Sequence, residues 1–547
     1  MMPETELDPF HERHQKLIAG RYDCVDRIVL NGYVQFLQSS GGFRTWWRAA
    51  WGSDDCLDNA HLMRWAGRFT RRLRAFAATH NVPLLEKEPD DRMHEIVQEL
   101  RPAAADFKGV FAISVHRAPN SVWNVIEYPS GGIHLERKQP WVNHYAFHIL
   151  DPDWGHVTIK VCPHPPFNVQ VALNGHEYVA RQAQRQNLAF QKEQNCFTET
   201  ANLAELENIA ETLRLSGAAG RLIEVCERWL STACLCFLMP VAEQRELGLR
   251  YDWSVYQMEF SRNLLFTRGG QMEQVFQSVI DRTRRVLDVR AIRTLFGNQK
   301  RPFFRRDGQP NFALTVERPT YDLTVFKVHC GLLTLKIYTK GERVLRIEAI
   351  VHNAKKEFSR HGIGRFAEIA DSLRLMVVRF LGVLRSVDAC WISDETWDRL
   401  PEPSQLGSSR VAGVDLNRSR MRTVIAAVLS LSSSPSGFRA EQVAERVSEM
   451  LGVSYTPRQA SYDLRKLRGK ELVRKLAGRR SYEPTPTGLR SLVALGILRD
   501  QVLAPLLSGR VGPPSRPPRN ARGDVNQHYR TLQYEIHQLL LSLGIAV

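Results

Sequence analysis

Apolar and polar residues alternate with a period of two through LTLKIYTKGERVLRIEAIVHN, residues 333 to 353, on both sides of a Lys-Gly-Glu turn. A period of two is the signature of a half-buried strand. Leu333, Leu335 and Ile337 are therefore expected on one face, with Thr334, Lys336, Tyr338 and Lys340 on the other. Beyond Gly341 the return strand sets Leu345, Ile347 and Ala349 on the apolar side and Arg346 and Glu348 on the polar side. This predicts a hairpin over 333–351 with its two polar faces aligned. Such a face is either a solvated surface with ordinary cross-strand charge pairs, worth roughly a few tenths of a kcal/mol each, or a place where charged groups gather for chemistry.

The same alternation recurs along the chain. RYDCVDRIVLNGYVQFL predicts a strand with a glycine-containing turn, FKGVFAISVHRA (107–118) a further strand, and WVNHYAFHILDPDWGHVTIKVC (141–162) a hairpin around Asp-Pro-Asp-Trp-Gly. FNVQVALNGHEYVARQAQRQN predicts a strand that runs through Asn174-Gly175 into a helix ending near residue 187. In WSVYQMEFS (253–261), Gln257 and Glu259 fall opposite Tyr256, Met258 and Phe260. Helical spacing instead marks 59–80 as an amphipathic basic helix, most of 198–250, and a stretch reaching about residue 296. No repeat with a period of about 20 to 50 residues is present, which argues against a solenoid or propeller.

The expected fold class is α+β, a mixed or antiparallel sheet region with helices followed by a C-terminal helix-turn-helix domain. The boundaries expected are an N-terminal α+β region over 1–197, a helical segment with the 333–351 hairpin over 198–395, and a linker over 396–418. After these come the helix-turn-helix domain over 419–507, a Pro- and Arg-rich linker over 508–525, and an amphipathic helix over 526–547 through which a homodimer could form.

Composition narrows the class. Seventy-four Lys and Arg against 58 Asp and Glu give a formal charge of +16, and the pI is near 9.6. That excess favours a polyanionic partner, most simply nucleic acid, because neutralising phosphates releases condensed counterions. The nine cysteines form no C-x-x-C, so neither a zinc ribbon nor a disulfide framework is indicated. The N-terminus is too polar for a signal peptide, and the run WLSTACLCFLMPVA is too short to span a membrane. A cytoplasmic protein with no membrane partner is expected. No P-loop, G-x-G-x-x-G after a strand, or G-x-S-x-G occurs, so nucleotide hydrolysis and α/β-hydrolase chemistry have no support.

The most specific stretch is TPRQASYDLRKLRGKELVRKLAGRRSYEPTPTGLRSL, residues 456 to 492. Thr456 can cap a helix with Pro457 at its first position, Leu464 and Leu467 give the apolar stripe, and Gly469 suits a left-handed stop. Two short strands follow, with the tip AGRRS between them, and MRTVIAAVLSLS and RAEQVAERVSEML supply two preceding helices. This order resembles the winged helix of MarR- and PadR-type regulators, over about 75 residues. The resemblance implies that Arg458, Gln459, Tyr462, Arg465 and Lys466 face DNA from the recognition helix, with Arg479 and Arg480 on the wing.

K-x-Y-x-K followed by L-R-x-E in the 333–350 hairpin resembles the "YDK…LRxE" region of rolling-circle replication initiators, in which a tyrosine cleaves one DNA strand beside a bound metal. The resemblance implies Tyr338 as nucleophile, Lys336 and Lys340 as phosphate contacts, and Glu348 as a metal ligand or structural acid; Arg346, on the same basic sheet face, is a further expected nucleic-acid contact. The His-hydrophobe-His motif of those initiators is missing. His144 and His148 are four apart, roughly 13 Å along a strand, too far for one metal. His148 and His156 could meet across the hairpin as a two-histidine metal site if the register allows; otherwise each is a hydrogen-bonded sheet residue. A different chemistry would use carboxylates with Mg²⁺ or Mn²⁺, and Asp26, Glu259 and Glu348 each sit at a polar-face position of an expected strand. More widely, the order NHYAFHI, GHVTIK, NGHEY, YQMEFS and LRIEAIV is similar to uncharacterised bacterial proteins, which implies no activity.

The function expected is a DNA-binding protein of bacterial or mobile-element origin whose basic N-terminal region processes a strand in the manner of a replication initiator or nuclease. Two alternatives stand beside it: a regulator without catalysis, and an RNA-associated protein whose 141–154 aromatics stack bases.

Overall fold

The computed structural model describes residues 14–86, 93–103, 107–129, 132–286, 312–320, 323–330, 332–358, 362–388, 398–432, 434, 437–476, 480–497, 531, 532, 534 and 535. They divide into two units, one drawn from His14–Phe276 and Arg305–Val377 and the other from Gln277–Phe304 and Val378–Val547.

The larger unit is organised by a strand that the sequence splits and the structure does not. β1, Ile18–Tyr33, runs unbroken through the Asn31-Gly32 pair that predicts a turn. Gly32 serves close packing instead: a Cβ there would lie 2.6 Å from the Trp253 ring and 2.7 Å from Val169. The strands that follow are β2 (Leu84–Glu86), β3 (Gly109–Pro119), β4 (Val122–Glu127), β5 (Ile133–Lys138), β6 (Trp141–Asp151), β7 (Gly155–Val161), β8 (Val169–Asn174), β9 (Phe190–Glu193) and β10 (Cys196–Thr200). After them come β11 (Asp252–Phe266), β12 (Phe312–Thr320), β13 (Leu323–Cys330), β14 (Leu333–Lys340) and β15 (Val344–Val351). Among the described residues eleven of these form one sheet in the order β12-β13-β14-β15-β11-β1-β8-β7-β6-β3-β2. Among the described strand pairs of this sheet only β2–β3 is parallel.

One face of this sheet is apolar and carries, among others, Phe147, Ile159, Val171, Leu30, Met258, Ile347 and Ile337, all buried. The helix Asn59–Thr79 packs with Leu62, Trp65, Phe69 and Leu73 inward, three or four residues apart as its spacing predicts, while Arg64, Arg68, Arg71 and Arg72 stay exposed. Phe69 meets Tyr145 at 5.1 Å between ring centres. The expected β6–β7 hairpin is present, and its turn is tied by Asp151, whose Oδ1 accepts from the amides of Asp153 (2.8 Å) and Trp154 (2.9 Å).

The smaller unit contains β16 (Ser404–Leu406) and β17 (Ser409–Val411), a short hairpin inside the stretch expected as a linker. Its neighbours Leu400 and Val414 are part of the unit's core, so this segment is folded. The helices Ser419–Leu431, Ala440–Leu451, Pro457–Gly469 and Pro486–Ile497 surround β18 (Phe438–Arg439), β19 (Val473–Lys475) and β20 (Ser481–Pro484), paired in the order β18-β20-β19. Val424, Val443, Leu464, Leu467, Leu472 and Leu492 close the core between them. Thr456 caps the third of these helices through a capping box: Thr456 Oγ1 accepts from the Gln459 amide at 3.3 Å, and Gln459 Oε1 accepts from the Thr456 amide at 2.8 Å. The left-handed residue after that helix is Glu471 (φ 58°), not Gly469. Gly469 is needed for space, since a Cβ there would lie 2.8 Å from Ser404. The 508–525 linker and most of the 526–547 helix, with any dimer contact it makes, lie outside the described residues. No helix among the described residues is long and apolar enough to cross a membrane.

Candidate functional site

Asp26, Glu259 and Glu348 come from β1, β11 and β15, three adjacent strands of the large sheet. Glu348 pairs with Ser261, two residues along β11 from Glu259, so both acids point from the same face. Asp26 reaches them through a bulge. Val25 pairs with Phe260 and Ile28 with Met258, so Asp26 and Arg27 together oppose Glu259. A bulge of this kind kinks the strand and re-aims a side chain. One carboxylate oxygen from each acid lies within 4.8 Å of the others, with Asp26 and Glu348 buried and Glu259 half-buried.

Asp26 is the fixed charge of the group. Its Oδ2 accepts from Arg346 Nη1 at 3.0 Å and from Asn195 Nδ2 at 2.8 Å, and its Oδ1 from Asn174 Nδ2 at 3.1 Å. His176 Nδ1 lies 3.2 Å from Oδ1. Burial opposes ionisation of Asp26, but His176, Arg346 and Asn195 outweigh it and hold the carboxyl well below its ordinary pKa. An ionised carboxylate only accepts, so His176 must carry its proton on Nδ1. Its Nε2 is then an acceptor, which suits the Arg346 Nη2 donor 3.4 Å away. Burial lowers the His176 pKa, in keeping with a neutral ring.

Gly175 makes this contact feasible. Asn174 closes β8 and caps the helix Gly175–Arg185, and a Cβ on Gly175 would lie 1.7 Å from the Val25 carbonyl. Only glycine lets the helix start press against β1 and deliver His176 to Asp26. His176, Asn174, Asn195 and Asn263 are residues of this site that sequence reasoning missed; the signal for His176 was the Asn-Gly cap directly after a strand.

The hairpin of β14 and β15 aligns its polar faces as expected, with Lys336 opposite Glu348 and Tyr338 opposite Arg346. Lys336 Nζ donates to Glu348 Oε2 at 3.2 Å and Tyr338 Oη to Glu348 Oε1 at 3.5 Å. Lys340 Nζ donates to Asn195 Oδ1. The solvated basic face is not what forms: Arg346 is fully buried, fixed by Asp26, by Asn263 Oδ1 at 2.7 Å and by the Asn195 carbonyl. Its expected nucleic-acid contact is replaced by an internal ion pair. Burial and the Glu348 charge raise the Tyr338 pKa, while burial and the Arg346 charge lower that of Lys340. Glu259 accepts from Gln257 Nε2 at 3.0 Å, and burial, then Glu348, then Asp26, push its carboxyl up to about 7.

His148 and His156 also meet, although diagonally: His148 pairs with Thr158 and Leu150 with His156. Burial lowers both rings to about 4.

On the smaller unit, Arg458, Gln459 and Tyr462 are exposed along Pro457–Gly469, Arg465 is half-buried and Arg480 is exposed. Gln459 is already engaged in the cap. Lys466, expected to face DNA, is drawn inward by buried Asp463, with Nζ 3.0 Å from Oδ1. Arg479 lies outside the described residues.

Comparison with protein-family models, with curated proteins and with solved structures found no match for the chain.

Proposed function

We propose that the chain is a DNA-processing protein in which Glu259 and Glu348 hold a divalent cation for phosphodiester hydrolysis and the smaller unit is a winged helix that binds duplex DNA. The observation that carries the reading is the convergence of three acids beside Lys336 on one sheet face. Hard carboxylate oxygens suit Mg²⁺ or Mn²⁺. Asp26 receives so many donors that its lone pairs are largely used, which leaves Glu259 and Glu348 as the ligands and Asp26 as the fixed negative field. The cation would supply charge stabilisation of the transition state and a more acidic bound water. Lys336, half-exposed beside Glu348, is positioned to contact a phosphate oxygen.

Of the two cleavage chemistries, hydrolysis is better supported than strand transfer to tyrosine. Tyr338 donates to Glu348 and its pKa is raised, so its phenolate is disfavoured. The winged-helix reading is supported by the order of three helices and a three-stranded sheet and by exposed Arg458, Tyr462 and Arg480.

The test is cleavage of supercoiled plasmid in Mg²⁺ or Mn²⁺ by purified full-length protein. Glu348→Gln is expected to lower the rate by about 10²–10³, the loss seen when one charge-stabilising group is removed. Tyr338→Phe should stay within about tenfold of wild type, because its hydroxyl has no covalent part in hydrolysis. Loss of cleavage in Tyr338→Phe with a protein–DNA adduct in the wild type would replace hydrolysis by strand transfer. DNA binding without cleavage in any divalent ion would make the protein a non-catalytic regulator, and RNA co-purifying with it would shift the ligand to RNA.

A further inference from the structure

β6 and β7 place three potential ligand atoms on one face. His148 stands opposite Thr158, and His156 is two residues before Thr158 on the same strand. His148 Nδ1 and His156 Nε2 are 3.3 Å apart, and Thr158 Oγ1 is 3.4 Å from each. The three atoms make a nearly equilateral triangle. Ligands about 2.0–2.1 Å from a tetrahedral ion stand roughly 3.3–3.4 Å apart, so this triangle has the dimensions of three vertices of a tetrahedral site.

We infer that His148, His156 and Thr158 form a binding site for a borderline divalent transition cation of the Zn²⁺ class, separate from the carboxylate trio and independent of the hydrolytic reading. Imidazole nitrogens suit such ions and bind Mg²⁺ poorly, whereas carboxylate oxygens also accept Mg²⁺ and Mn²⁺. The fourth vertex is left for water or a substrate oxygen. Ser114 Oγ lies 3.0 Å from His148 Nε2. With the Nε2 proton donated to Ser114, His148 keeps a lone pair on Nδ1, which is how an outer partner fixes a metal-binding tautomer. Phe111, its ring 5.3 Å from His156 and 6.2 Å from His148, shields the pair. All three residues are on paired strands, so the triangle is held by backbone register rather than by a loop.

The experiment uses chelator-stripped full-length protein titrated with Co²⁺, whose low-coordinate complexes absorb in the visible, followed by displacement with Zn²⁺. One molar equivalent of the visible band is expected. His156→Gln and His148→Gln should each abolish it, Ser114→Ala should weaken binding by about 10–100-fold, and Glu259→Gln should leave it unchanged. Circular dichroism identifies any variant that fails to fold. Zn²⁺ protection of His156 from imidazole-directed chemical modification, mapped by mass spectrometry in the wild type, needs no variant at all. An undiminished band in folded His148→Gln/His156→Gln protein, a band lost in Glu259→Gln alone, or no band and no protection in the wild type would overturn the assignment. In the last case the triangle is a hydrogen-bonded trio only.

Discussion

Within the acidic trio, Asp26 faces Arg346 and Glu348 faces Lys336, whereas Glu259 meets the neutral amide of Gln257. Burial first, then the charges of Glu348 and Asp26, push Glu259 from an ordinary 4.5 up to about 7. Between those two pH values the folded chain keeps a proton that the unfolded chain has released. Metal-free stability therefore falls as pH rises through that window, by on the order of 3 kcal/mol. A cation competes with that proton. Mg²⁺ should raise the wild-type Tm more at pH 8 than at pH 6, and Glu259→Gln should flatten the metal-free slope and remove the Mg²⁺ shift. Thermal melts in EDTA and in Mg²⁺ at both pH values check this; a Glu259→Gln protein with the wild-type slope would locate the titration elsewhere. The three acids were legible in the sequence because each occupies a polar position of an alternating strand. Arg346 was misread for the same reason: alternation tells which face a side chain takes, but not that Asp26, 320 residues earlier, will bury it.

At the scale of elements, the site depends on how tightly the helix Gly175–Arg185 and β1 approach. Gly175→Ala would press a methyl group into the Val25 carbonyl, next to the bulge that aims Asp26. Overpacking of this kind costs roughly 1–3 kcal/mol, and here it also moves His176 away from Asp26. Gly220→Ala, where the added Cβ meets nothing within 4 Å, is the control and should be neutral or slightly stabilising. Urea unfolding of both variants measures the difference; equal midpoints would mean that the contact yields without cost. The β6–β7 and β14–β15 hairpins were readable from local periodicity and turn residues, whereas the β4–β5, β9–β10 and β12–β13 pairs were not anticipated. The bulge was not, because it exists only in the pairing of β1 with β11, and neither was the straight passage of β1 through Asn31-Gly32, which is decided by Trp253 and Val169 from other strands.

For the molecule as a whole, the proposal divides labour between the two units, and charge provides the way to separate them. A formal charge of +16 favours non-specific attraction to any polyanion, so bare affinity says little about a site. The dependence on salt says more. Each phosphate contact contributes about 0.9 to the slope of log K against log salt on duplex DNA. Arg458→Ala and Arg480→Ala, both at exposed positions of the smaller unit, should each lower that slope by about 1 and weaken duplex binding, yet leave metal-dependent cleavage intact at saturating DNA. Glu348→Gln should do the opposite, with cleavage lost and the salt slope unchanged. Lys466→Ala is the internal control. Its ammonium is held by Asp463, so its removal should destabilise the helix Pro457–Gly469 more than it changes the slope. Fluorescence anisotropy over a salt series, run beside plasmid cleavage, reads all four variants. If the arginine variants instead lose cleavage at saturating DNA while keeping the wild-type slope, binding does not reside in the smaller unit, and the exposed arginines of Asn59–Thr79 become the next residues to replace.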